Sequence, residues 1–283
     1  MMMWNRLRHT VRAVLGVNPA GRRLTVFPDD IFIVSYPRSG NTWARFLIGN
    51  LLYPKTQVSF ANVESLIPAI HLFPDRRLRA MPRPRVLKSH EYFDPRYKRV
   101  VYFVRDPRDV AVSVYYYSIK RRDIPDTMPL DEFIPRFVGG EFFEDFGTWE
   151  EHVQSWQATR NGKNGFVCIR YEEMLTKPMD MMANIASALR LEFTTKALAG
   201  AVELSSAARM KDLEKEQSAD WKLTRSTRQD VPFVREAKSG GWKSKLSMTA
   251  VLTIERKWGT TMKDLGYQLA GDMSETRSKL EPA

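Results

Sequence analysis

The hydrophobic residues of this chain fall into short β-branched runs that alternate with longer segments of helical spacing. The short runs have the composition of buried strands, and they lie at residues 31–34, 85–90, 100–104 and 166–171. Between them, large apolar residues recur every three or four positions. This spacing predicts helices at 41–51, 107–117, 148–159, 179–189, 195–204, 207–217 and 247–265. Alternating strands and helices predict an α/β fold in which helices flank a central parallel sheet.

Two stretches interrupt this pattern and are predicted to be loops. Residues 55–84 are rich in proline and charge, and form either a solvated connection or one wall of a substrate cleft. Residues 121–147 combine prolines and glycines with several phenylalanines. So many aromatic side chains in a loop indicate a lid or pocket wall, or else ordinary packing beneath a long loop.

One domain is predicted for residues 28–270, between a basic segment at 1–27 and a tail at 271–283 that we expect to be disordered. The basic segment is weakly amphipathic. It therefore either packs on the domain as a solvated helix or contacts an anionic membrane surface peripherally. No apolar run reaches the ~18–20 residues needed to span a bilayer, so no transmembrane anchor is predicted.

The first predicted strand leads through a short polar loop into a helix. Gly40 breaks the strand, and either Asn41 or Thr42 is suited to cap the helix. Free backbone N–H groups and the helix dipole favour an anion at such a helix start. Ser39 and Thr42 add hydroxyl donors, and Arg38 adds a permanent cation. The segment therefore predicts a P-loop-like oxyanion site, although it lacks the lysine and the spacing of a Walker A motif.

The charge of the chain agrees with an anionic ligand. The formal net charge is +11 and the isoelectric point is near 9.7, which suits nucleic acid, anionic lipid or small phosphorylated or sulfated compounds. A hydrophobic fraction of 43% argues against a disordered protein. The single cysteine, Cys168, excludes an intramolecular disulfide and a CxxC metal site, and suits a reducing compartment such as the cytoplasm.

Further polar residues follow the later predicted strands. Lys88 and His90 end the second strand, and Arg105 ends the third. Ser113 lies eight residues beyond Arg105, about two turns into the next helix. Ligands of open α/β sheets bind beyond the carboxyl ends of the strands, so these side chains are candidates for one site. A second candidate anion cradle is the pair Gly240-Gly241, which lies between basic residues.

Taken together, these segments resemble the sulfotransferases that use 3′-phosphoadenosine 5′-phosphosulfate (PAPS). Tyr-Pro-Arg-Ser-Gly-Asn-Thr-Trp at 36–43 resembles the 5′-phosphosulfate loop of that family, and Lys-Ser-His at 88–90 resembles its catalytic segment. Residues 105–113 match its 3′-phosphate motif. Residues 233–243 resemble its C-terminal loop, which also binds the 3′-phosphate.

The resemblance implies a role for each matching residue. His90 would be the catalytic base, while Lys88 and Arg38 would face the transferring group. Trp43 would pack against the nucleotide, and Tyr171 would lie near the adenine. The residues implied in PAPS binding are Arg38, Ser39, Gly40, Asn41, Thr42, Trp43, Arg105, Ser113, Tyr171, Ser206, Arg235, Glu236 and Ala237.

The chain departs from the family pattern at several of these positions. Arg38 replaces the usual lysine, and a guanidinium keeps the charge but cannot donate a proton to the leaving oxygen. Glu236 and Ala237 replace a Lys-Gly pair, so Arg235 would carry most of this loop's contribution. Ser206 is retained, but the aromatic residue expected after it for adenine stacking is missing.

The predicted function is PAPS-dependent transfer of a sulfuryl group to a hydroxyl or amine of a small organic or lipid-like acceptor, with PAP (3′,5′-adenosine diphosphate) as product. A sulfuryl group carries less charge than a phosphoryl group, so we expect no metal requirement. The alternatives are a P-loop-like nucleotide kinase that needs Mg²⁺ and a catalytically inactive nucleotide-binding or nucleic-acid-binding protein. We expect no nucleic-acid partner, because no such motif is present. The acceptor and the oligomeric state stay open.

Overall fold

A computed structural model describes residues 18–270 of the chain. Their four strands form one parallel sheet in the order β2-β1-β3-β4. The strands are Ile31–Ser35 (β1), Val86–Ser89 (β2), Arg99–Val104 (β3) and Phe166–Arg170 (β4). In the register, Ile31 lies opposite Val86 on one side and Arg99 on the other. The single α/β domain with a central parallel sheet, and its four predicted strands, are confirmed.

Helices surround the sheet. They are Asn41–Leu52 (α1), Val63–Leu66 (α2), Asp75–Arg79 (α3), Pro107–Arg121 (α4), Leu130–Val138 (α5), Trp149–Arg160 (α6), Tyr171–Thr176 (α7), Pro178–Ala188 (α8), Thr195–Leu204 (α9), Ala207–Gln217 (α10) and Met248–Asp264 (α11). All seven predicted helices are confirmed, with ends that differ by at most four residues. Helices α2, α3 and α5 lie where loops were predicted.

Both faces of the sheet are buried, because successive side chains of a strand point to opposite faces. On one face, Phe32 and Val34 belong to a core cluster that also contains side chains from α4, α5, α6 and α11. On the other face, Ile31 and Ile33 pack in a cluster with side chains of α1 and α8. This arrangement leaves the carboxyl edge of the sheet as the place where the loops meet.

The stretch 121–147 is partly helical, which corrects the prediction of a loop. Phe133 and Phe137, one turn apart on α5, are 0% and 1% exposed and pack in the main core. The phenylalanines after the helix, Phe142, Phe143 and Phe146, line the cavity described below. The two interpretations of this stretch, core packing and pocket wall, therefore hold for different parts of it.

The remaining predictions concern the ends of the chain. Residues 18–27 pack against the domain, where Leu24 is buried and Thr25 bonds to Asp75 through its backbone N–H and its hydroxyl. The amphipathic part of the basic segment and the tail at 271–283 lie outside the described residues. Between residues 18 and 270, no helix is both long enough and apolar enough to cross a membrane.

Candidate active site

The loops that follow the strands, together with the segment 233–241, line a cavity of about 810 Å³. Every site residue predicted from the sequence lines this cavity except Ser39, whose side chain is fully buried. The cavity is within the size range of small-molecule sites. Residues separated by up to 200 positions along the chain are thus brought to one place, in agreement with the hypothesis of a common site.

The loop between β1 and α1 has the shape of an anion cradle. Gly40 precedes the helix with a φ of 96°, and a Cβ there would lie 2.6 Å from Cδ2 of Tyr171. Only glycine fits this left-handed position. The buried Ser39 hydroxyl has no hydrogen-bond partner among the described residues, so it is available to an anion held against the helix start.

The prediction that Asn41 or Thr42 caps α1 is wrong. The capping position is Gly40, and no side chain caps the helix. The Asn41 amide instead donates to the carbonyl of Ile33 at 3.2 Å and to the hydroxyl of Ser35 at 3.3 Å. Asn41 therefore ties the start of the helix back to β1, and the first backbone N–H groups of α1 have no side-chain cap.

Arg38 crosses the cavity toward the predicted 3′-phosphate residues. Its Nε donates to the Ser113 hydroxyl at 3.1 Å, and its Nη2 donates to the Phe233 carbonyl at 3.2 Å. The guanidinium carbon lies 4.6 Å from the ring centre of Tyr117 and 4.2 Å from that of Phe233. Burial lowers the pKa of Arg38 to about 10, so it stays charged at neutral pH. A planar group suits this stacked position better than an ammonium does.

Arg105 and Arg235 lie on the same side of the cavity. The Arg105 Nη2 donates to the Lys238 carbonyl at 3.0 Å, and its guanidinium lies 4.2 Å from the ring centre of Tyr171. Its Nε is buried without a partner among the described residues. The Arg235 guanidinium lies 4.1 Å from the Tyr116 ring centre. The cavity thus has two further cations at the position predicted for the 3′-phosphate.

The departures at 236 and 237 have structural consequences. Glu236 forms an ion pair with Lys245, which offsets its negative charge beside the predicted phosphate site. Ala237 has a φ of 52°, a left-handed conformation in which glycine would be unstrained. Ser206 lines the cavity and also caps α10, where its hydroxyl accepts from the Arg209 N–H at 3.4 Å.

Trp43 and Tyr171 form an aromatic wall of the cavity. Their ring centres are 5.5 Å apart in an edge-on arrangement. The Trp43 indole N–H donates to the Ser205 carbonyl at 2.9 Å, which fixes the ring. Two oriented aromatic faces beside the cations suit a planar nucleotide base.

His90 and Lys88 lie at the end of β2, and both line the cavity. The His90 Nδ1 is 2.6 Å from the Ser35 carbonyl. A carbonyl only accepts, so Nδ1 carries the proton and Nε2 keeps its lone pair. Burial, and then the neighbouring Lys88 and His71, hold the pKa of His90 well below its usual value, so the ring is neutral near pH 7.

Lys88 is buried at 4% exposure. Burial and the nearby Arg45 lower its pKa to about 7, although Glu64 acts in the opposite direction. Arg38 lowers it further. The cavity therefore concentrates cations that destabilise one another, and a bound anion would relieve this repulsion.

Sequence reasoning missed three residues near the site. His71 lines the cavity, and its ring centre is 5.4 Å from that of His90. Asp109 accepts from the N–H groups of Gly240 and Trp242 at 2.7 and 3.0 Å, and so holds the C-terminal loop. His152 is fully buried in the core, and its ring contacts the backbone of His90. No local signal distinguishes these residues, because their partners are distant in sequence.

Comparison with known proteins finds similarity to sulfotransferases. The family model described as "Sulfotransferase domain" matches residues 28–266. Sulfotransferase 1B1 of Mus musculus is 28% identical over 238 residues, which cover 78% of this chain and 79% of that protein. The solved structure of mouse sulfotransferase SULT7A1 complexed with PAP has a TM-score of 0.68 at 22% identity, and the match covers 87% of this chain and 88% of that one.

A second solved structure matches with a TM-score of 0.72 at 18% sequence identity. It is retinol dehydratase in complex with androsterone and inactive cofactor PAP, and the match covers 88% of this chain and 85% of that one. At these identities, the structural matches show a shared fold.

Proposed function

Because the chain belongs to the sulfotransferase domain family, we propose that it transfers the sulfuryl group of PAPS to a hydroxyl or amine of a small organic acceptor. One observation carries this proposal. The tautomer-fixed His90 opens into the same cavity as the Gly40 cradle and the cations Arg38 and Arg105. A base for the acceptor and donors for a nucleotide with two anionic ends are thereby placed side by side.

The cavity residues fit PAPS. The unpartnered Ser39 hydroxyl and the start of α1 suit the 5′-phosphosulfate, and the unpartnered Arg105 Nε suits the 3′-phosphate. The wall formed by Trp43 and Tyr171 suits the adenine, in place of the aromatic residue missing after Ser206. The structures of SULT7A1 and retinol dehydratase contain PAP, which supports the assignment of the nucleotide.

His90 has the geometry of a general base. Its Nε2 lone pair accepts a proton from the acceptor hydroxyl, and the Ser35 carbonyl stabilises the imidazolium through the Nδ1 proton. When bound, PAPS supplies the sulfuryl group, whose bond to the 5′-phosphate breaks as the acceptor oxygen bonds to sulfur. Lys88 neutralises the charge that develops on the leaving phosphate, while Arg38, whose guanidinium bonds to Ser113, adds positive charge to the same cavity.

An apolar acceptor fits the remaining wall of the cavity. Leu72, Phe142, Phe143 and Phe146 line it, and the His90 ring lies 5.6 Å from that of Phe146. Retinol dehydratase, of similar fold, was solved with androsterone, an apolar alcohol. We therefore place phenols, steroid-like alcohols and long-chain alcohols first among the candidates.

The test is transfer of label from ³⁵S-labelled PAPS to a panel of alcohols, phenols and amines in the presence of EDTA. We expect labelled product to form in the presence of EDTA, without any added metal ion. Transfer that required Mg²⁺ would contradict the expected metal independence, and turnover of ATP in place of PAPS would instead support a nucleotide kinase. Absence of both activities together with tight PAP binding would support an inactive nucleotide-binding protein.

A further inference from the structure

Helix α6 holds the segment that follows β2 through three side chains. The His152 Nε2 lies 3.0 Å from the carbonyl of His90, and the Trp156 indole N–H donates to the carbonyl of Glu91 at 3.0 Å. The Ser155 hydroxyl accepts from the N–H of Phe93 at 3.1 Å. One face of a rigid helix thus fixes the backbone at and after His90.

The hydrogen bonds of His152 determine its tautomer. Because the His90 carbonyl only accepts, the His152 Nε2 must carry the proton. Its Nδ1 then accepts from the Tyr102 hydroxyl, which lies 2.9 Å away on β3. Burial lowers the pKa of His152 to about 4, so the ring is neutral at working pH and both nitrogens are engaged. His152 is 0% exposed and does not line the cavity, so it does not contact the acceptor.

We propose that His152 is a positioning residue for His90, acting through the hydrogen-bonded series from the Tyr102 hydroxyl to the His152 ring and the His90 carbonyl. This inference rests on the proposed function of His90. The Ser35 carbonyl orients the His90 ring from one side, and His152 fixes its backbone from the other. Together they hold Nε2 toward the cavity.

A purely structural role is the competing explanation, because the His152 ring also packs 5.8 Å from the rings of Tyr36 and Tyr102. Loss of packing alone would lower stability and leave the folded enzyme active. Loss of positioning would displace the base, and displacements of about 1 Å cost on the order of 100-fold in rate. The two roles therefore predict different values of kcat when the variants are compared at the same concentration of folded enzyme.

The experiment compares three substitutions in the full chain. For His152→Leu we expect kcat to fall about 10- to 100-fold, with PAP affinity unchanged within about twofold. His152→Gln keeps an N–H donor near the His90 carbonyl and should recover most of the activity. Val153→Ala, on the same helix and 1% exposed, is the packing control and should lower the melting temperature but not kcat.

A second readout does not depend on activity. In ¹⁵N-histidine NMR spectra, His90 of the wild type should show a single tautomer protonated at Nδ1, and His152→Leu should show a mixture. Tyr102→Phe, which removes only the hydroxyl, should give a smaller loss of kcat. Should His152→Leu fail to fold, the Gln and Phe variants decide by the same criteria.

The outcomes separate the two hypotheses. A kcat of His152→Leu equal to that of Val153→Ala, with an unchanged His90 tautomer, would overturn the positioning role. Equal activity of wild type and His90→Ala would instead refute the proposed base. In that case the NMR comparison would still decide whether His152 orients His90.

Discussion

At the scale of single residues, Lys88 and His90 show how burial has opposite consequences for two neighbours. Both pKa values are lowered mainly by desolvation. For His90 this keeps the ring neutral, which is the state a general base requires. For Lys88, desolvation moves deprotonation into the physiological pH range, although this residue would act through its positive charge.

The pH dependence of kcat/KM for PAPS should reflect this difference. His90 must be neutral. The rise of kcat/KM with pH therefore lies well below the usual histidine pKa, and this rise is complete before pH 7. Lys88 must be charged, so activity falls as pH rises through about 7. Bound PAPS raises the pKa of Lys88, so the fall in kcat should lie at higher pH than the fall in kcat/KM. Lys88→Arg should abolish the alkaline fall near pH 7, and a fall that persisted in this variant would contradict the assignment.

Arg38 is the residue at which the chain departs most from the family pattern. Removing its charge in Arg38→Met should lower kcat/KM for PAPS about 100-fold, because a buried cation of the nucleotide cavity is lost. Arg38→Lys keeps the charge but loses the stacking between Tyr117 and Phe233, so it should lose less than about tenfold. Steady-state kinetics of both variants provide the measurement. Equal activity of the Met variant and the wild type would exclude an electrostatic role.

At the scale of elements, the first turn of α4 anchors the C-terminal loop through Asp109. Asp109→Ala removes two charge-assisted hydrogen bonds, to the N–H groups of Gly240 and Trp242. We expect PAP affinity to fall at least about tenfold, since such bonds contribute roughly 1.5–3 kcal/mol each. Titration calorimetry with PAP measures this.

The matched control for this prediction is Asp212→Asn, which also removes one negative charge. Its side chain is 58% exposed on α10, so PAP affinity should stay unchanged. If Asp109→Ala instead bound PAP more tightly, the loss of an acidic neighbour would outweigh the loss of the anchor. That result would reject the role assigned to Asp109.

The hydrophobic pattern of the sequence predicts some of these helices and strands but not others. The strands and the long helices follow from local periodicity, which the β-branched run at Ile31–Ser35 and the apolar face of Met248–Asp264 both display. Helix α5 was missed because Pro129, Pro135 and the glycines after Val138 are typical of loops. Burial of Phe133 and Phe137 outweighs these local preferences.

At the scale of the whole molecule, the sheet order brings the candidate site together. Motifs predict the residues that follow β1, β2 and β3 because each motif is local, and a parallel sheet places their ends at one edge. Asp109, His71 and His152 could not be assigned, since their partners lie in distant segments. The orientation of Arg38 toward Ser113 was missed for the same reason.

The central claim is that His90 removes the acceptor proton in a site that binds PAPS independently of it. The most direct measurement compares ³⁵S transfer and PAP affinity in wild type and His90→Ala. We expect transfer to be abolished while PAP affinity changes by less than about threefold, because the residues that we assign to the nucleotide are Arg38, Arg105 and the Gly40 loop, which line the cavity separately from His90. Full transfer by His90→Ala would contradict the account.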